Sequence, residues 1–361
     1  MQNERRAAVR AEAALLEQVF IDAGALRIEA DSLLPAETLL DLYGEDIRAR
    51  AYVTDDPVMG ERMMRPDFTV PIVERHMSEG AEPARYTYNG PVWRMQDAGS
   101  ARATEFVQVG FEVFDRSNPA ASDAEVFALF AETLPEHLTV TTGDVGLLQS
   151  AIKALKTSDR RRAALMRHLW RPTRFENLLA KFSQPTNDAT RTAFLAQAET
   201  TGVDAMLETA GKFIGLRSGT EIATRITDLQ DDQSTPPISA EEMAVVNTLL
   251  STDTTAAKAL NELQELQGAL PTMAKSVSVF ARRLDALDQR GVDVNALAFK
   301  GRYGLTSMEY YDGFVFGFSD GETVVASGGR YDAMTAVLGE GREIPAVGGV
   351  IRPDALVGGA K

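Results

Sequence analysis

Ala8, Ala11, Leu15 and Val19, with Leu16 and Phe20 beside them, recur at helical spacing. They predict an amphipathic helix ending near Gly24. Farther on, Val107, Val109, Phe111 and Val113 alternate with Gln108, Gly110 and Glu112, the period of a strand with an apolar core face. Tyr86–Met95 reads as its partner strand, and Asp97-Ala98-Gly99-Ser100 as turn material between them. The pair forms a hairpin with Arg94 near its tip. Met64–Pro71 is a rigid turn with two prolines that either opens a helix capped by Asp67 or Thr69 or aims a carboxylate at a ligand amine. Asp312-Gly313 between aromatic strand formers predicts a further hairpin, and Ser327–Asp332 a second turn.

On a larger scale, residues 1–145 mix helices with short strands, 146–290 are rich in helix formers, and strands return from Val292. This texture predicts a sheet domain formed by 1–150 and 291–361, interrupted by a mainly helical insertion over 151–290.

Composition narrows the function. The 361 residues carry a net charge of −15, which argues against a large nucleic-acid surface. The lack of cysteine excludes disulfides, thiolate metal sites and thiol nucleophiles, and three scattered histidines make no metal site. Glu4, Glu12 and Glu17 interrupt the N-terminal apolar residues, so no signal peptide or membrane span is expected and the protein reads as cytoplasmic. One stretch departs from the acidic average: residues 151–181 hold nine Lys and Arg against two acidic residues. It reads as a solvated helix face or a docking patch for an acidic partner or a phosphate ligand.

Of the candidate chemistry, the row Gln108, Gly110, Glu112 stands out, because the glycine leaves room for a ligand between two polar side chains. Periodicity alone also permits an ordinary half-exposed strand. The Gly328-Gly329 pair lacks the Lys-Ser/Thr of a phosphate loop, and no Ser–His–Asp arrangement can be drawn.

Together, Arg65-Pro66-Asp67-Phe68-Thr69, Gly90-Pro91-Val92-Trp93-Arg94, the strand Glu105–Glu112, Tyr310-Tyr311-Asp312-Gly313 and Ser327–Asp332 running to Pro345-Ala346-Val347-Gly348 resemble the catalytic core of histidyl-tRNA synthetase. The resemblance implies an α+β class II synthetase-like fold, an antiparallel sheet flanked by helices. Departures are equally specific. Ala355 stands where the family's third motif carries an arginine, Thr306 where a histidine-specific arginine is found, and Gln96 where the hairpin loop has an acidic residue. Arg302 and Arg352 lie nearby in sequence as substitutes. The sequence ends at Lys361, shortly beyond the third motif, so no anticodon-binding domain and no tRNA partner are expected.

The amino-acid pocket, in contrast, is kept. By resemblance Asp67, Thr69 and Gln108 hold the α-amino group of free L-histidine, and Arg94 lies at its carboxylate. Glu112 and Tyr311 take the imidazole, with Tyr310 and Tyr331 close by. A site that keeps ligand chemistry and loses reaction chemistry resembles the regulatory subunit of ATP phosphoribosyltransferase. That family implies a self-dimer within a hetero-octamer with the short-form catalytic subunit, activation of that subunit, and feedback inhibition by histidine. It implies no catalytic residue, metal or cofactor in this chain. The alternatives are a truncated synthetase-like enzyme that adenylates histidine, and a purely structural dimerisation relative.

Overall fold

The first helix (α1, Gln2–Asp22) stops before Gly24, whose φ of +93° suits a residue without a side chain. Its buried face is Val9, Ala13, Leu16 and Phe20, one residue along from the expected stripe, and Leu15 is 65% exposed. Phe20 decides this register: its ring sits 5.4 Å from both Phe111 and Phe130. An anchor of that size outweighs the smaller Ala8–Val19 stripe.

The computed structural model describes residues 2–36, 49–100, 102–185, 188–211, 215–266, 268, 270–305 and 310–358. After α1 come β1 (Leu26–Arg27), β2 (Leu33–Pro35), β3 (Val53–Asp56), β4 (Gly60–Met64) and α2 (Thr69–Glu79). β5 (Ala84–Trp93), β6 (Glu105–Phe114), α3 (Pro119–Thr133), β7 (Thr139–Asp144) and α4 (Val145–Ala154) follow. Then come α5 (Asp159–Arg167), α6 (Pro172–Phe182), α7 (Ala189–Thr201), α8 (Val203–Thr209), α9 (Gly219–Ser234) and α10 (Ala240–Ser251). The chain closes with β8 (Asp253–Thr255), α11 (Ala256–Leu266), α12 (Ala274–Asp288), β9 (Ala298–Lys300), β10 (Phe314–Asp320), β11 (Thr323–Arg330), α13 (Asp332–Leu338), β12 (Ala346–Ile351) and α14 (Pro353–Gly358).

Two compact units emerge, Met1–Ser150 with Thr248–Lys361, and Ala151–Asn247. The expected 151–290 segment is therefore divided, because residues 248–290 belong with the sheet. β8 pairs with β9 at the sheet edge, and α12 packs on α3. Helical texture cannot reveal this, since it does not say which surface a helix covers. Arg283 of α12 binds Asp123 of α3 at 2.7 Å and Asp144 of β7 at 2.5 Å, and Arg330 reaches the same Asp123 at 2.7 Å. All four side chains are buried.

The nine strands of the large sheet run in the order β1-β5-β6-β12-β11-β10-β7-β9-β8. The sheet is antiparallel except at β1–β5 and β7–β9, so it is mixed rather than purely antiparallel. A small sheet orders as β2-β4-β3. On one face of the large sheet, Phe316 packs against Phe127 and Phe130 of α3, both at 5.5 Å.

Two expected turns prove otherwise. Asp312-Gly313 closes no hairpin: Asp312 N–H donates to Arg330 O, and the hairpin turn instead falls at Gly321, between β10 and β11. Ser327-Gly328-Gly329-Arg330 is strand, not turn. The glycines serve close approach, since a Cβ on Gly328 would lie 2.4 Å from Gly348 O and from the Phe316 ring.

In the second unit, Leu195, Ala198 and Ile226 form a small core with Val203, Met206, Ile222 and Leu229 against it. Part of the basic stretch is internal there. Arg161 is 4% exposed and donates to Asp232 Oδ1 at 2.8 Å and Pro236 O at 3.0 Å. Among the described residues no helix is long and apolar enough to cross a membrane.

Candidate functional site

β5 and β6 pair without a bulge from Ala84↔Phe114 to Trp93↔Glu105. The alternation holds as expected, but the polar face is not half-exposed: Gln108 and Glu112 are both buried. Gly110 does not leave empty room beside them. Its strand partner Tyr88 lies over it, so that a Cβ there would come within 2.0 Å of the Tyr88 ring. The ring stacks on Phe68 at 4.3 Å, and its hydroxyl donates to Glu112 Oε1 at 3.0 Å. From the other side, Tyr331 OH donates to Glu112 Oε2 at 2.6 Å. Glu112 pairs with Gly348 of β12, where any Cβ would fall 1.5 Å from Oε2. Burial pushes the Glu112 carboxyl up to about 8, against the opposing pull of both hydroxyls.

The segment Arg65–Thr69 runs past the end of β5. Arg65 Nε donates to Pro91 O at 2.9 Å, and its guanidinium lies 4.0 Å over Phe68, pinning segment to strand. Asp67 and Arg94 meet as a result: Arg94 Nε donates to Pro66 O at 2.8 Å, and Arg94 Nη2 stands 3.8 Å from Asp67 Oδ2. The residue before α2 is Phe68, which offers no side-chain cap; Asp67 Oδ1 accepts from Thr69 N–H at 3.1 Å instead.

Tyr310 and Tyr311 precede β10, their ring centroids 4.6 Å apart. Tyr310 hydrogen-bonds with Tyr311 and Thr69, and burial raises both phenols. Thus Asp67, Thr69, Arg94, Gln108, Glu112, Tyr310, Tyr311 and Tyr331 all line one narrow cavity, together with Gly348 and Gly349 of β12. Gln108 is fully buried, and neither of its amide atoms has a hydrogen-bond partner. Buried amides are almost always paired, so this one marks a place for a polar ligand. Two carboxyl groups, an amide, a guanidinium and three phenols suit a small molecule with an ammonium, a carboxylate and a polar ring.

Tyr88 and Gly348 were not anticipated. The signal for Tyr88 was its alternation two residues from Tyr86, and Gly348 was legible only as part of a glycine-rich strand. Of the departures from the synthetase pattern, Thr306 lies outside the described residues. Gln96 Nε2 spans the hairpin loop to Arg94 O and Ala103 O, each at 3.3 Å. Ala355 and Arg352 line a second cavity beyond Arg94, and Arg302 does not. Among the described residues no group is arranged for a metal ion.

Comparison with known proteins places these features in a family. The histidyl-tRNA synthetase family profile matches residues 2–234. The ATP phosphoribosyltransferase regulatory subunit of Rhizobium meliloti is 30% identical over 90% of this chain and 89% of its own. That of Rhizobium johnstonii is 31% identical over 91% of this chain and 92% of its own. Among solved structures, an ATP phosphoribosyltransferase regulatory subunit/histidyl-tRNA synthetase from Bacillus halodurans superposes with a TM-score of 0.67 at 19% identity, covering 99% of this chain and 80% of that one. Histidyl-tRNA synthetase from Nostoc sp. superposes with 0.62 at 15% identity, covering 98% and 72%. These two share the class II synthetase fold. By sequence and by fold, the chain belongs to the ATP phosphoribosyltransferase regulatory subunit family of histidyl-tRNA synthetase-like proteins.

Proposed function

We propose that this chain is the non-catalytic regulatory subunit of ATP phosphoribosyltransferase, acting in the first step of L-histidine biosynthesis, and that its cavity is the sensor for the end product. It activates the short-form catalytic subunit, and histidine bound in the cavity reverses that activation. In this reading Asp67, Thr69 and Gln108 take the ammonium group and Arg94 the carboxylate. Glu112 and Tyr311 take the imidazole, with Tyr310 and Tyr331 closing around it. The chain works as a self-dimer within a cytoplasmic hetero-octamer and contacts no tRNA.

The observation that carries the reading is the convergence of these eight side chains on one cavity around the unpaired amide of Gln108. A buried donor and acceptor without partners is costly, and an amino acid placed there supplies both. Sensing without catalysis reaches the active site only through a coupling between subunits, commonly about 1–3 kcal/mol.

The test is to mix the chain with its short catalytic subunit and titrate histidine. Activity rises on mixing and falls with histidine. Gln108→Leu, close in volume and without hydrogen-bonding groups, keeps the activation and weakens inhibition about tenfold or more. A Gln108→Leu complex inhibited like wild type places the sensor elsewhere.

A further inference from the structure

Asp312 follows the Tyr310-Tyr311 pair directly but does not line the cavity that they line. Its main-chain N–H donates to Arg330 O at 2.9 Å, and its carboxylate accepts from Asp332 N–H at 3.1 Å and from Ala333 N–H at 2.5 Å. Tyr331 lies between these contacts, in the turn from β11 into α13, and its hydroxyl donates to Glu112 Oε2. Hydrogen bonds before and after Tyr331 thus fasten the segment carrying Tyr310 and Tyr311 to the turn carrying Tyr331, and the Tyr310 and Tyr331 rings stand 6.2 Å apart. The segment has little slack on its other sides. Gly313 O accepts from Val145 N–H at 2.9 Å, a Cβ on Gly313 would meet the Arg330 side chain at 3.0 Å, and one on Gly146 would lie 2.9 Å from Asp312 O.

Among the described residues, the charged groups facing this carboxylate are Asp332 of α13 and Arg330 of β11. Behind them, Asp123 of α3 is held by Arg330, and Asp144 of β7, across Gly146, by Arg283. Burial first, and then the charge of Asp332, push the Asp312 carboxyl up to about 7, against the pull of the two amides and of Arg330. When ionised, both oxygens accept and hold the amides firmly; when protonated, one of them becomes a hydroxyl set against an N–H donor.

We propose that Asp312 is a positioning residue of the histidine pocket: it sets Tyr310 and Tyr311 against the ligand by clamping their segment to the Tyr331 turn. It touches no ligand itself. The assignment rests on the histidine reading above, and adds to it that the pocket wall is prearranged from outside, which lowers the ordering cost of binding. The ionised clamp is the binding-competent one. Its contribution to affinity is therefore complete above the titration of Asp312 and is lost as pH falls through it.

Calorimetry of L-histidine on the full chain and on Asp312→Asn, from near pH 6 to near pH 8, tests this. Asparagine keeps the size and one accepting oxygen, and resembles the protonated carboxyl at every pH. Asp312→Asn should bind histidine about fivefold or more weakly near pH 8 and within about twofold of wild type near pH 6. The near-normal binding at low pH also shows that the variant pocket is folded. Glu112 and the imidazole of the ligand titrate with both proteins and cancel in the ratio. A ratio that does not change with pH marks a merely structural loss and overturns the proposal, as does equal binding near pH 8. Wild type that binds no histidine at any pH overturns the histidine reading and this proposal together, whereas wild type that binds with a flat ratio overturns this proposal alone.

Discussion

Glu112→Gln is expected to make the empty protein more stable, increasingly so as pH rises. The Glu112 side chain is 1% exposed, and burial lifts its carboxyl from an ordinary 4.5 to about 8. A raised value means that the folded chain keeps a proton the unfolded chain has already lost. Its contribution to stability is therefore complete below the unfolded value and is lost as pH rises through the folded one. Across that interval stability falls by up to about 1.4 kcal/mol per pH unit, and near pH 7 the accumulated loss is about 3 kcal/mol. Glutamine keeps the size and a carbonyl to accept from a tyrosine hydroxyl, and does not titrate. The advantage of Glu112→Gln over wild type then grows from under about 1 kcal/mol near pH 5 to about 3 kcal/mol near pH 7. Urea unfolding of both proteins over this range, in histidine-free buffer, measures it. Other titrating groups cancel in the difference, including Asp312, which burial lifts to about 7. Parallel stability–pH curves for the two proteins would refute the reasoning. The same substitution weakens histidine binding, so gain in stability and loss of ligand appear together.

Three further outcomes are expected. Gly348→Ala puts a Cβ 1.5 Å from Glu112 Oε2, and thermal unfolding should show a loss of about 1–3 kcal/mol as carboxylate and strand shift. Asp123→Ala strips the partner shared by Arg283 and Arg330 and should cost about 3–5 kcal/mol in urea unfolding, because each buried cation loses one of its two carboxylate partners; a loss below about 1 kcal/mol would mean that the others, Asp144 on Arg283 at 2.5 Å and Asp332 on Arg330 at 2.9 Å, suffice. Histidine-dependent exchange of labelled pyrophosphate into ATP should stay at background, since Ala355 offers no charge to a developing phosphate; exchange abolished by Arg352→Met would show a substitute arginine at work.

Much of the site was legible because strand period and motif order are properties of neighbouring residues. Alternation along β6 assigned Gln108 and Glu112 to one face, and the family resemblance joined them to Asp67, Arg94 and the Tyr310-Tyr311 pair. The rest depended on residues far apart in sequence. The space above Gly110 is filled by Tyr88 from the facing strand, which a single strand's pattern cannot disclose. Gly328-Gly329 has the composition of a turn, yet lies in a strand paired on both sides, and Gly328 is a glycine there because Gly348 O and the Phe316 ring approach it too closely for any side chain. Residues 248–290 look like the rest of the helical segment, and only their packing on the sheet, through β8 and Arg283, assigns them to it. The second cavity gathers Arg5, Arg50, Arg94, Arg102 and Arg352 from widely separated stretches. Local pattern thus determined which residues alternate, cap and turn. Which groups lie within a few ångströms, and so which charges are raised, lowered or left unpaired, is a property of distances that only the folded chain defines.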